Sequence, residues 1–140
     1  MNPVLWLGLL IVGVLLTWDW LIKRRRVSSR PEVGDREFLS AYRGPQESPN
    51  DPQILEARRR IAKELSLPTG KIRPEDQLTT LRDRYCLVVS GHLALGDLLD
   101  DLEKVGKGTD SRPASSPETV GEYISAFLVR LSQSGRADEQ

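Results

Sequence analysis

The chain has 140 residues, with 20 basic and 20 acidic side chains, a single His and a single Cys. One Cys excludes an internal disulfide framework, and one His with one Cys excludes most His/Cys metal sites. The neutrality averages unlike pieces: residues 1–22 hold all three Trp and one charge, Asp19, and the other 39 charged side chains follow them.

Residues 3–22 read PVLWLGLLIVGVLLTWDWLI. At about 1.5 Å per residue they reach roughly 30 Å, the thickness of a bilayer's hydrocarbon core. Twelve of the twenty are Leu, Ile or Val, each favouring insertion by roughly 0.3–0.6 kcal/mol at mid-span. Asp19 opposes insertion by up to about 3.5 kcal/mol at the centre, but it stands one turn from the end, where the cost falls. Trp18 and Trp20 flank it as an interfacial aromatic belt would. A cleaved signal peptide carries its basic cluster before the apolar run, whereas Lys23, Arg24, Arg25 and Arg26 come after this one. A buried core helix would show a polar stripe, and residues 4–16 have none. Gly8 and Gly13 are five apart, so they do not form a G-x-x-x-G face. The expectation is a single-pass anchor over 1–22 with its N-terminus outside and the rest of the chain cytoplasmic. Trp18, Trp20, Lys23, Arg24, Arg25 and Arg26 are expected at the membrane interface, with the lipid bilayer as partner.

Residues 23–51 read as a basic collar and a flexible linker. Residues 23–30 carry five positive charges and no negative one, which suits anionic headgroups. No aromatic interleaving accompanies them, so a nucleic-acid partner is not expected. Pro31, Gly34, Gly44, Pro45 and Pro49, with Ser28, Ser29 and Ser48, have the composition of a linker. A short helical turn at 35–42 interrupts it, with Phe38 and Tyr42 on one face. As a flexible tether, some 25 residues would hold the domain roughly 25–30 Å from the bilayer.

From 52 to 133 the pattern is helical. Asp51 and Pro52 supply an N-cap and a Pro at the first helical position. Ile54, Ala57, Ile61 and Leu65 then form one stripe, until Pro68, Thr69 and Gly70 stop it. Ile72 and Leu78 are expected as core plugs in the following loop. A second helix over 93–105 uses Leu95, Leu98, Leu99, Leu102 and Val105, with Gly106 as its C′ residue. Its polar face carries Asp97, Asp100, Asp101 and Glu103. After a Gly/Ser/Pro loop over 106–115, Ser116-Pro117-Glu118 caps a last helix with Val120, Ile124, Phe127, Leu128 and Leu131 inside. Residues 85–89 have strand propensity but no partner strand, and so read as helix or buried loop. Residues 134–140 read as a disordered tail. The fold expected is all-α, a single transmembrane helix followed by a small three- to four-helix bundle.

A helix, a loop containing I-R-P-E-D-Q-L, an acidic second helix, a loop and a final S-P-E-T-V-G-E-Y-I helix resemble the layout of acyl carrier proteins. The resemblance covers residues 54–133, about the length of one carrier domain. It implies a serine at the start of helix two that accepts a 4'-phosphopantetheine arm, followed by apolar residues at fixed offsets. Those offsets fall on Leu93, Leu98, Leu99 and Leu102 if the serine position is His92. Imidazole does not accept the arm in the family's manner, so the resemblance implies a carrier fold without its cofactor. Ser90 takes the position only if the helix start shifts. The spacing from Leu78 to His92 also exceeds the family's, and counted without that insertion Cys86 falls at the serine site.

Two chemical readings stand beside this one. Cys86 as a nucleophile with His92 as base would make a thiol-dependent enzyme, which needs a lowered thiol pKa and an orienting group. His92 as a metal ligand lacks partners of its own kind, so no metal is expected. Gly106-Lys107-Gly108 lacks the context of a phosphate loop. The function expected is a membrane-anchored cytoplasmic interaction module without catalysis or cofactor. It would dock a basic protein surface through Asp97, Asp100, Asp101 and Glu103. The alternative expectations are a tethered carrier modified on Ser90 or another serine, and an enzyme using Cys86.

Overall fold

Among the described residues of the computed structural model six α-helices follow one another: α1 (Pro3–Ser29), α2 (Asp35–Arg43), α3 (Asp51–Glu64), α4 (Leu78–Tyr85), α5 (Val88–Val105) and α6 (Val120–Ala137). A 3-10 turn lies at Thr69–Lys71, and the described residues contain no strand. The structure describes residues 3–44, 48–86, 88–105 and 116–137, of which 88–92, 105 and 133–137 are described by backbone alone. Gly106 and the 106–115 loop lie outside them.

The chain is all-helical, and α1 is long and apolar enough to span a membrane. Its large apolar side chains from Val4 to Leu16 are each more than half exposed. None of its apolar window is buried against the remaining chain. An all-round apolar helix has no polar face with which to lie on a small domain.

The segment expected as a tether is part of the fold. Val33, Phe38 and Leu39 belong to the same core cluster as Ile54, Ile61, Leu98 and Ile124. Turn residues explain its linker-like composition: Gly34 opens α2, and Gly44 ends it at φ 90°, where a Cβ would be strained. Asp35 and Glu37 in the first turn and Arg43 in the last complement the helix dipole. Arg58 of α3, fully buried, then clamps the segment down. Its guanidinium donates to Asp35 Oδ1 at 2.9 Å, to the Val33 carbonyl at 2.8 Å and to the Ile72 carbonyl at 3.1 Å. It also lies 4.1 Å from the centroid of the Phe38 ring, a cation–π contact. Burial lowers the guanidinium pKa, and Asp35 partly offsets that effect. A flexible 25–30 Å tether is incompatible with these contacts.

Asn50 occupies the N-cap position of α3, without a side-chain capping bond. Asp51, expected there, instead accepts two hydrogen bonds from Arg43, at 2.7 and 2.6 Å. The helix ends before Pro68, in a Schellman closure. Ser66 N–H donates to the Lys63 carbonyl and Leu67 N–H to the Ala62 carbonyl, with Ser66 at φ 53° in the αL position. Ile72 and Leu78 are buried as expected.

Leu78, expected in a loop, and Tyr85, expected in a helix or buried loop, are the two ends of α4, and α5 starts at Val88 rather than near 93. The cap of α6 is Thr119 rather than Ser116: Glu122 N–H donates to Thr119 Oγ1, and Glu122 Oε2 accepts from Thr119 N–H. That reciprocal pair is a capping box. The loop before α4 is stitched to this end of α6, with Leu78 N–H on the Glu118 carbonyl and Val120 N–H on the Asp76 carbonyl. Gly121 fits there because a Cβ would meet the Pro74 carbonyl at 3.2 Å. α6 continues to Ala137, past the expected domain end at 133.

Candidate functional site

Two places gather the residues of interest: the outer face of α5, and the joint where α1 meets the bundle. On α5 the buried side is Ala94, Leu98 and Leu102, spaced by four as a helix packing into a core requires. Leu95 packs partly against that core. The opposite side shows Leu93, 68% exposed, with Asp97 and Asp100 exposed beside it at i+4 and i+7. Leu93 is therefore a surface residue rather than a core one. Glu103 is exposed too.

Asp101 differs from its neighbours. It is half-buried and pairs with Arg60 of α3 at 3.9 Å and Lys104 at 3.5 Å. The expected four-carboxylate face thus divides, with Asp101 serving the α3–α5 contact. Asp97 and Asp100 make no ion pair among the described residues. Ser90 and His92 lie on the backbone of α5, the third and fifth residues of that helix. Their side chains lie outside the described residues.

At the joint, α1 runs past the apolar stretch as a continuous helix and packs against α4. Lys23 is only 7% exposed and pairs with Asp19 at 2.9 Å. It points into the protein, unlike Arg24, Arg25 and Arg26, which are exposed. Arg24 stacks 4.9 Å from the Trp20 ring centroid; Trp18 and Trp20 are both exposed. Just beyond the helix, Arg30 forms an ion pair with Asp76 and lies over the Tyr85 ring. Lys71 donates to the Arg30 carbonyl, and Val33 N–H donates to the Gly70 carbonyl at 2.7 Å. These contacts fix the direction in which α1 leaves the bundle. Sequence reasoning missed Lys23, Arg30 and Arg58 as structural cations, because charge runs read as solvated surface.

Cys86 ends α4 and is 6% exposed, with its Sγ donating to the Leu65 carbonyl at 3.2 Å. Burial pushes its thiol pKa up, with the nearby Lys23 and Arg82 charges opposing. A nucleophilic thiol needs the reverse shift and access to a substrate. The described residues contain no group of three or more His, Cys, Asp or Glu side chains placed to hold a metal ion. Compared with family models, curated proteins and solved structures, the chain matches none of them.

Proposed function

We propose that the chain is a single-pass membrane protein whose helical domain stands on the cytoplasmic face as an interaction module without catalysis of its own. The observation that carries this reading is the division of α1. No residue of its apolar window is buried, while the chain just after the helix is joined to the domain at Arg30, which pairs with Asp76 and whose carbonyl accepts from Lys71. A helix of this apolar exposure calls for an apolar solvent. The basic residues at its C-terminal end favour the cytoplasm for the domain. A domain held rigidly at the membrane presents one fixed face to partners. The face we assign is Leu93, Asp97 and Asp100, an apolar residue among carboxylates that suits a basic partner surface.

The resemblance to acyl carrier domains belongs to this proposal as well. It rests on the helix order and on the buried Ile72 of the connecting loop and Leu78 at the start of α4. The domain would be a carrier fold without its arm, since His92 stands at the apparent serine position. Intact mass of the full chain, co-expressed with a phosphopantetheinyl transferase, tests the absence of chemistry. An unchanged mass is expected, and gain of the arm would replace the reading with a tethered carrier. For the face, cross-linking in the native membrane is compared between wild type and the Asp97→Lys, Asp100→Lys double variant. Loss of adducts is expected in the variant; identical adducts overturn the assignment.

A further inference from the structure

We propose that the cleft between α1 and the C-terminal end of α3 binds the phosphate headgroup of an anionic phospholipid from the surrounding bilayer. The inference rests on the reading of residues 3–22 as a membrane span. A cavity of about 270 Å³ opens there, with Trp20, Lys23 and Arg24 of α1 on one side, Ser66 and Leu67 on another and Cys86 at the end of α4 in its wall. Its size falls just under the roughly 300–1,000 Å³ of small-molecule pockets, which fits a headgroup and glycerol rather than a whole lipid.

Position argues for a lipid. Trp20 and Lys23 straddle the end of the apolar stretch, so the cavity mouth lies at headgroup depth once the helix is in a bilayer. A lipid reaches it without leaving its leaflet. Its acyl chains would lie along the bare apolar surface of α1, where Val12 and Leu16 stand exposed on the same helical face as Trp20.

Chemistry argues for an anion. The Lys23 ammonium has three N–H donors, and Asp19 engages it from one side at 2.9 Å. Arg24 holds its guanidinium 4.9 Å from the centroid of the Trp20 ring, and its five N–H donors suit phosphate oxygens. Lys23 with Asp19 is neutral as a pair, so Arg24 gives the cleft a net positive charge. The Ser66 hydroxyl is a further potential donor, carried on the αL residue that ends α3. A phosphate diester with no compensating choline satisfies this set, and a zwitterionic headgroup would bring its cation toward Arg24.

The full chain in nanodiscs of phosphatidylcholine with an equal part of phosphatidylglycerol, released for native mass spectrometry, tests the site. One phosphatidylglycerol per chain is expected to remain bound, preferred over phosphatidylcholine by about fivefold, the equivalent of one cation near the surface. Arg24→Gln, at an exposed position, should abolish that preference, and Arg25→Gln, outside the cavity, should keep it. Leu67→Trp fills the cavity without altering charge and should lose the bound lipid. Equal retention of both lipids by wild type overturns the site. So does an equal loss in Arg24→Gln and Arg25→Gln, which would mark diffuse surface attraction, or displacement of the lipid by excess inorganic phosphate. Carbonate extraction separates this inference from the reading beneath it. Release from vesicles would overturn the span and the site together, whereas retention without lipid preference overturns the site alone.

Discussion

Residues 3–22 and residues 30–44 have opposite compositions and opposite places in the fold. The first stretch is almost wholly apolar, yet none of its apolar window is buried against the chain. The second is polar and punctuated by Pro and Gly, yet it places Val33, Phe38 and Leu39 in the core. Apolar content therefore does not decide what the domain buries. Presentation does: nine residues of α2 turn Phe38 and Leu39 to one side, where α3 can cover them, while α1 is apolar all round and offers no boundary between inside and outside.

The sharpest way to break this comparison is to remove one large apolar side chain from each stretch. Phe38 is fully buried, and Phe38→Ala should cost the domain about 3–5 kcal/mol, the usual range for an aromatic truncated in a core. Leu10 is 65% exposed, and Leu10→Ala should leave domain stability within about 0.5 kcal/mol, as surface changes do. Urea unfolding of the full chain in detergent micelles, followed by far-UV circular dichroism, reads both. Similar midpoints for the two variants would return residues 30–44 to the status of a tether.

A smaller effect is expected at the clamp. Arg58→Met keeps much of the volume but orphans the carbonyls of Val33 and Ile72, and each unsatisfied buried group costs about 1–3 kcal/mol. Asp35, 54% exposed, is released to water without a large penalty. A net loss of about 2–4 kcal/mol is expected by the same denaturation measurement. A variant as stable as wild type would mean that Arg58 merely fills space.

These residues also show what was legible beforehand. The stripes of α3, α5 and α6 could be read because a bundle helix repeats its apolar positions every three or four residues, and Ile61, Leu98 and Ile124 are buried accordingly. The apolar run of α1 could be read from length alone. Arg58 could not, since it opens the run Arg58-Arg59-Arg60, which locally looks like a solvated face. It becomes core only because residues 30–44 cross over α3 and supply Asp35, the Val33 carbonyl and the Phe38 ring, with the Ile72 carbonyl as a further partner. Lys23 likewise sits in a basic collar and turns inward only because α4 meets it. α4 was hidden because Leu78 and Leu81 are its only fully buried side chains, too few to set a period. On the candidate face, Asp97 and Asp100 are exposed. Asp101 was not distinguishable from them, because its partner Arg60 comes from another helix.

The smallest effect concerns how the docked stretch is closed onto α3. Arg43 and Asp51 form a two-point ion pair across the turn between α2 and α3. The Arg43 hydrogen bonds hold the Asp51 carboxyl below its usual 3.8, and the Ser48 backbone and the Arg43 charge act in the same direction against the cost of burial. A carboxyl whose pKa is lower folded than unfolded binds fewer protons in the native state between those two values. Its contribution is therefore complete above the unfolded value and disappears as pH falls through the folded one. Other carboxylates titrate in the same region, so the informative quantity is the gap in stability between wild type and Asp51→Asn. That gap should be constant from neutral pH down to about 5 and should close as pH falls below about 4. Acid titration of the unfolding midpoint of both proteins reads it. A gap that persists unchanged at lower pH would show that the ionised carboxylate is not what joins α2 to α3, and the closure would then rest on Phe38 and Arg58 alone.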